Sequence, residues 1–489
     1  MIAPDLTALA ERITALQGAR VVCVGDVMLD RFVYGEVTRI SPEAPIPVCR
    51  VTNETVMLGG AGNVVRNLVS VGALVDFVSV TGDDEIAGDI GLLLRDLAGV
   101  TPTLVVDTGR PTTSKMRYVA GGQQLLRADR EVTTPISDDV ADSVFAAAEA
   151  ALSGAGALIV SDYGKGTITD RLVARLIAAA KSAGKPVIVD PKSRDFGRYA
   201  GASLITPNLK ELGEAADGDL SSEDGIVAAA RGRLAAAGIG AMLVTRGAQG
   251  MSLIAPDRAD HFPSRAREVF DVSGAGDTVL AVLAAGIAAG TPMIEAAQLA
   301  NVAAGIVVGK TGTAVVYADD LHAELGEMTG LSGPQPPLRL AAALDRIRTW
   351  KDRGEKVGFT NGCFDLLHPG HVSLLASARS TCDRLVVGLN SDASVKRLKG
   401  ENRPMQNEAA RAAVLSSLET VDLVVIFDED TPEALLHEVR PDILVKGADY
   451  TVETVVGADL VQSYGGKVIL ADIVPGFSTT ATIARMNAS

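Results

Sequence analysis

Short apolar runs alternate with alanine-rich stretches along almost the whole chain, and this alternation limits the fold more than any other feature. Strand-like runs fall at Arg20 to Val24, Ala157 to Ser161, Pro186 to Asp190, Ser203 to Thr206 and Ala241 to Thr245, with helical stretches such as Asp170 to Ser182 between them. Strand, helix and strand in succession imply parallel pairing with helices covering both faces of the sheet. The rhythm repeats on a smaller scale downstream, at Arg384 to Leu389, Val421 to Phe427, Ile443 to Lys446 and Lys467 to Ala471. Between Met328 and Leu338, Pro334, Pro336 and Pro337 can neither continue a helix nor enter a central strand. The expected fold class is therefore α/β in two domains: an N-terminal doubly wound sheet over residues 1–330, and a smaller C-terminal Rossmann-like domain over residues 356–489. Residues 331–355 form a Pro/Gly linker and a leading amphipathic helix, Arg339 to Arg353.

The 489 residues leave room for two cores at the usual 100–200 residues per domain. A formal charge of -15 disfavours nucleic acid and anionic membrane surfaces as partners and favours small molecules. Cys23, Cys49, Cys363 and Cys382 lie far apart with no C-x-x-C pair, as expected of reduced thiols in a cytoplasmic protein. Met1 to Arg20 mixes acidic and basic residues at helical spacing, unlike a signal peptide, and the apolar run Thr278 to Gly290 is too short to span a bilayer.

Two stretches carry phosphate chemistry. In Asp271-Val-Ser-Gly-Ala-Gly-Asp277, Gly274, Ala275 and Gly276 precede a helical run, so their amides and the positive end of the helix dipole can receive an anion. Asp277, at the same helix start, can take a proton from a hydroxyl attacking a bound γ-phosphate. The heptapeptide alone serves equally well as a helix cap and a tight turn. Far downstream, His368-Pro-Gly-His371 follows a strand and opens a helix. Two imidazoles three positions apart can face one phosphate there, and Gly370 lets it approach the backbone. A zinc site lacks a third ligand at an obvious spacing. Gly309-Lys310-Thr311 looks like the end of a P-loop but has Ala304 where the first glycine belongs, and reads as a helix end.

Around the first stretch, Gly59-Gly60-Ala-Gly-Asn63 opens a helix, Asn208-Leu209-Lys210-Glu211 follows a strand, and Thr245-Arg-Gly247 ends another. In order and spacing these motifs resemble the ribokinase (PfkB) family of sugar kinases. The resemblance implies Asp277 as catalytic base, Gly274 to Gly276 stabilising the transferred phosphoryl group, and Asn208 and Glu211 organising magnesium through the ATP phosphates. It further implies that Leu209, Lys210, Thr245 and Gly247 lie against ATP, and that Asp26 or Asp30, with Gly60 and Asn63, hold the sugar. A turn-capping role fits either aspartate as well.

His368 to His371 resembles the nucleotidyltransferase superfamily that includes glycerol-3-phosphate cytidylyltransferase. There both histidines stabilise the transition state at the nucleotide α-phosphate, and Phe477-Ser-Thr-Thr480 matches a signature in which Ser478 and Thr479 hold the β- and γ-phosphates. Lys399, Arg403 and Lys446 are further cations for phosphates, or solvated surface charge.

A sugar kinase joined to a sugar-phosphate nucleotidyltransferase makes a nucleotide sugar. The domain order, with Arg39 to Pro45, Gln123 to Arg127, Ser161 to Lys165, Asp190 to Lys192 and Asn390 to Ser394, resembles the bifunctional heptose-7-phosphate kinase/heptose-1-phosphate adenylyltransferase family of Gram-negative bacteria. That implies ATP-dependent phosphorylation of D-glycero-β-D-manno-heptose 7-phosphate at C1, removal of the 7-phosphate by a separate phosphatase, and adenylyl transfer from ATP to give ADP-heptose for the lipopolysaccharide core. Lys115, Arg117, Arg127 and Lys192 are the candidate cations for the 7-phosphate. Mg2+ with ATP as co-substrate is expected, with no tightly bound organic cofactor, and a homodimer. Two alternatives stay open: another sugar kinase fused to a CTP-using cytidylyltransferase, and a non-catalytic nucleotide-sugar sensor.

Overall fold

The computed structural model describes residues 6–216, 218–266, 269–310, 312–329, 337–448 and 451–471. It divides into two compact units, Met1–Leu325 and Gly326–Ser489.

The first unit is built on a nine-stranded sheet. Its order is Ala259–Phe262, Met251–Ile254, Ala241–Thr245, Leu204–Ile205, Val187–Asp190, Ala157–Ser161, Arg20–Gly25, Leu74–Thr81 and Val100–Val106. The two strands at the first-named edge pair antiparallel and all the others are parallel. The central strands are buried on both faces, which is why they read as unbroken apolar runs such as Ala157-Leu-Ile-Val-Ser161. Helices close over them with amphipathic faces. Asp170–Ser182 turns Leu172, Val173, Leu176 and Ile177 into the core, and Thr169 caps it by accepting the Leu172 N–H.

A second, four-stranded sheet was not visible as an alternating pattern. It runs Pro47–Gly60, Val27–Ile40, Ser114–Ala120 and Gln123–Arg130. Beyond its first few residues Val27–Ile40 leaves the core, and Gln123–Arg130 is exposed throughout, so neither shows the inside–outside alternation of a half-buried strand.

In the second unit five parallel strands lie in the order Leu423–Phe427, Arg384–Asn390, Val357–Gly362, Ile443–Gly447 and Lys467–Ala471. The order reverses direction around Val357–Gly362, so the crevice beyond its carboxyl end is the expected ligand position. The amphipathic segment expected at Arg339 to Arg353 is the helix Leu340–Asp352. Residues 330–336, which hold most of the proline-rich stretch, lie outside the described residues.

Candidate active sites

In the first unit, the motifs singled out in the sequence gather at the carboxyl ends of the parallel strands. Asp277 lies in the first turn of the helix Ala275–Ala288 and is 8 % exposed. Asn63, from the helix Ala61–Ser70, donates to Asp277 Oδ2 at 2.7 Å, and the Tyr163 hydroxyl donates to Oδ1. Burial pushes the Asp277 carboxyl up to about 6; the hydrogen bonds from Asn63 and Tyr163 oppose that rise, Asp30 adds to it, and Arg66 reduces it. The residue is thus ionised at neutral pH yet close to its titration point, as suits a general base. Gly274, at the N-cap, has φ of 79°, and a Cβ there would sit 2.8 Å from Asn63 Nδ2, so only glycine fits both demands.

Beside this carboxylate opens a cleft of about 660 Å³ lined by Asn208, Leu209, Lys210, Thr245, Gly247, Ala275 and Gly276, with Asn301, Gly305 and Val308. Seven of the residues expected against ATP in this unit thus line one cavity, of a size that suits a nucleotide, while Glu211 and Gly274 are not among its lining. Asn208 and Glu211 form a capping box at the start of the helix Leu209–Ala215: Asn208 accepts the Glu211 N–H at 2.9 Å, and Glu211 Oε2 accepts the Asn208 N–H at 3.0 Å. Burial pushes the Asp190 carboxyl well up, and the charges of Asp277 and Glu211 push it further. Glu211 and Asp277 thus both act electrostatically on the buried Asp190, and a hard cation bound chiefly through substrate phosphates would relieve that repulsion. Among the described residues no group of three or more His, Cys, Asp or Glu forms a ready-made metal cage.

Several of the sequence candidates have partners of their own. Asp26 is 1 % exposed and committed to the backbone: its carboxylate accepts the N–H groups of Tyr163 at 2.8 Å, Lys165 at 3.1 Å and Thr167 at 3.0 Å. It therefore ties down a loop, whereas the Asp30 carboxylate, near Asp277, is paired with Arg117. Lys192, its side chain 56% exposed, bonds Glu211 Oε1 at 3.2 Å. Arg117 is paired with Asp30 and lies over the Phe32 ring at 5.1 Å. Arg127 is half-exposed against Asp129, while Lys115 bonds Asp129 at 2.8 Å and lies 3.3 Å from Glu131. Lys165, not singled out in the sequence, reaches the same Glu131 oxygen at 2.7 Å, so two half-buried ammonium groups share one carboxylate. Gly60, at the N-cap of the Asn63 helix, has φ of 57°. Lys310 follows the end of the helix Met293–Val307, and its ammonium bonds Asp320 at 2.8 Å.

In the second unit, His368 is the N-cap of the helix Pro369–Arg379, with Pro369 at its first position and Gly370 buried behind it. The His368 and His371 rings stack with centroids 3.8 Å apart and planes 16° apart. Burial pushes His371 down to about 4, with the neighbouring His368 adding to the fall and the Leu366 backbone opposing it; burial lowers His368 as well. Both Nδ1 atoms are buried without a well-formed hydrogen bond. A neutral imidazole can donate one hydrogen bond and accept another.

Cations surround this loop. Arg403 pairs with Asp365, and Lys446 donates to Asn361 Oδ1 at 2.6 Å. Lys399, Arg411 and Arg403 all act to lower the Cys363 thiol, against burial that raises it. Arg411, which the sequence did not mark, is 1 % exposed and donates to Cys363 O at 2.6 Å, Asp392 Oδ1 at 2.8 Å and Gln406 O at 3.1 Å. Ser478 and Thr479 lie outside the described residues.

Fold and motifs together define a sugar kinase followed by a nucleotidyltransferase. The pfkB family carbohydrate kinase model matches residues 19–319, and the cytidylyltransferase-like model matches residues 359–486. Among solved structures, Arabidopsis thaliana ribokinase, complexed with ribose and ATP, aligns with a TM-score of 0.50 at 21% identity, over 63% of this chain and 99% of that one. Escherichia coli phosphofructokinase-2 in complex with potassium aligns at 0.53 and 19% identity, over 64% and 100%. At such identities the likeness concerns the fold of the first unit. Full-length relatives carry more. The bifunctional protein HldE of Paramagnetospirillum magneticum is 57% identical over 99% of both chains, and that of Caulobacter vibrioides 54% identical over 98% of this chain and 99% of its own. The chain belongs to this family of bifunctional HldE proteins. Its two domains are a kinase and a nucleotidyltransferase, which implies ATP and typically Mg2+. Among the described residues no helix is long and apolar enough to cross a membrane.

Proposed function

We infer that the chain performs two ATP-dependent steps toward one nucleotide sugar. In the first, the anomeric hydroxyl of D-glycero-β-D-manno-heptose 7-phosphate attacks the γ-phosphorus of ATP. Its proton passes to Asp277, the bond from the γ-phosphorus to the β–γ bridging oxygen breaks, and ADP leaves with the electron pair. In the second, after separate removal of the 7-phosphate, a phosphate oxygen of heptose 1-phosphate attacks the α-phosphorus of another ATP and pyrophosphate leaves. His368 and His371 donate hydrogen bonds to the α-phosphate as charge builds on it.

The observation that carries this reading is the buried Asp277 carboxylate at a helix start beside the nucleotide-sized cleft, in a chain whose full length matches bifunctional relatives. Asn208 and Glu211 would hold magnesium through the ATP phosphates, and the charges of Glu211 and Asp277 acting on the buried Asp190 support a cation there. Bound magnesium neutralises charge on the phosphates. Asp30 and Gly60 meet the sugar, Asn63 acts by holding Asp277, and Lys115, with Lys165, supplies cations for the distal phosphate. Ser478 and Thr479 hold the triphosphate of the second step. The two steps take place in the cytoplasm, a reading supported by four free cysteines, and the enzyme is a homodimer. Val51, Val56, Leu125 and Leu126, exposed on the four-stranded sheet, offer an apolar face for the second copy.

The test is to incubate the protein with Mg-ATP and heptose 7-phosphate, with and without a phosphatase, and to identify products by mass spectrometry. Heptose 1,7-bisphosphate without phosphatase and ADP-heptose with it are expected. Pyrophosphate release with CTP in place of ATP would point to a cytidylyltransferase, and ligand binding without any turnover would point to a sensor.

A further inference from the structure

Tyr163 lies just beyond the strand Ala157–Ser161, in a loop that Asp26 closes from the inside. One Asp26 oxygen accepts the N–H of Tyr163 and of Lys165, and the other that of Thr167, so alternate residues of the loop are pinned to one buried carboxylate. Asp26 follows the central strand Arg20–Gly25, and its own backbone N–H donates to Ser161 O at 3.2 Å. The loop therefore stands on the most rigid part of the sheet. From there the Tyr163 hydroxyl reaches Asp277 Oδ1, while Asn63 occupies Oδ2. Each carboxylate oxygen receives one of these two protein donors and keeps acceptor capacity for the hydroxyl of a substrate.

We propose that Tyr163 is a positioning residue for phosphoryl transfer: its hydroxyl fixes the rotation of the Asp277 carboxylate and keeps that carboxylate ionised, and Asp26 fixes Tyr163. The inference rests on the reading of Asp277 as base. A carboxylate buried with only Asn63 as donor would rotate about its last bond and would hold its proton more tightly, because burial disfavours the charge. The other charged or titratable groups facing Asp277 do not replace the lost donor. Asp30 raises its pKa, Arg66 lowers it, and Asp190 and the buried Cys23 thiol are themselves pushed up by its charge. Tyr163 cannot serve as the base. Its phenol is pushed well above 10 by burial and then by the Asp277 charge, so it stays a donor wherever the kinase works.

The experiment is the pH dependence of the kinase step for the full chain, with Mg-ATP and heptose 7-phosphate, compared among wild type, Tyr163→Phe and Asp277→Asn. Phenylalanine keeps the ring and removes one charge-assisted hydrogen bond, so the acid limb should move upward by ~1–2 pH units. The rate should recover toward the wild-type level at high pH, with KM for ATP unchanged. Replacing Tyr163 alone by 3-fluorotyrosine, a stronger donor of nearly the same shape, should move the limb downward, and it keeps the test open if the phenylalanine variant folds poorly. A limb that stays in place in both variants, with Asp277→Asn inactive, overturns the positioning role and leaves the base reading intact. An active Asp277→Asn enzyme overturns both.

Discussion

Asn63 and Asp277, 214 positions apart, join the starts of two helices through a 2.7 Å hydrogen bond, and Gly274 is the residue that lets them come together. A side chain at Gly274 would push against the Asn63 amide and strain a φ of 79°. Gly274→Ala should lower kcat of the kinase step by about 10²-fold, the usual loss when a reacting group is displaced by an ångström. Adenylyl transfer, measured as pyrophosphate release in the same preparation, should not change. A kinase within twofold of wild type would mean that the Asn63–Asp277 bond does not matter to the reaction.

The kinase step should lose rate as pH falls through about 6, where Asp277 takes up its proton. The sign for stability is the opposite. The folded carboxyl binds its proton more tightly than the unfolded one, so its contribution is fully present below the ordinary value of 3.8 and is lost as pH rises through about 6. Rate profiles and chemical denaturation of wild type and Asp277→Asn check both, the variant showing no stability change over that window from this group.

His368→Ala should cost adenylyl transfer about 10²–10³-fold, the loss seen when one preorganised donor to a developing charge is removed, and should spare the kinase. Because burial holds His371 down to about 4, the unfolded chain takes up protons first as pH drops below 6.5. The histidine contribution to the second unit's stability therefore fades between pH 6.5 and about 4. Thermal unfolding across that range, compared with a His371→Gln variant, measures the difference.

Asp26→Ala should destabilise the first unit strongly, since the N–H groups of Tyr163, Lys165 and Thr167 lose one shared acceptor. Each buried orphan costs about 1–3 kcal/mol, so a loss on the order of 3 kcal/mol or more is expected by denaturant titration. A loss below ~1 kcal/mol would show that water replaces the carboxylate.

The central strands were legible because burial on both faces leaves them almost wholly apolar, as in Ala157-Leu-Ile-Val-Ser161 and Arg384-Leu-Val-Val-Gly-Leu389. The four-stranded sheet was not, because strands that project from the core, such as Gln123–Arg130, have no buried face to impose a period on their sequence. Motif residues from Asn208 to Gly276 that were picked out by pattern line one cleft. Partnerships were not. An aspartate near the first strand looks the same whether it pairs with an arginine, as Asp30 does with Arg117, or accepts three amides, as Asp26 does. Likewise a lysine near a motif does not reveal that it pairs with Glu211, as Lys192 does, nor does Tyr163 reveal that it meets a carboxylate 114 positions away. Those facts depend on loop geometry that no local spacing encodes.

In this reading two separate centres act on two different phosphorus atoms of ATP. Label transfer measures this directly: with γ-labelled ATP and heptose 7-phosphate the label should appear on the sugar, and with α-labelled ATP and heptose 1-phosphate it should appear in ADP-heptose. Asp277→Asn should abolish the first transfer and keep the second, and His368→Ala should do the reverse. If either substitution removed both transfers from a folded protein, or if the α-label never reached the sugar nucleotide, the two-centre account would be contradicted.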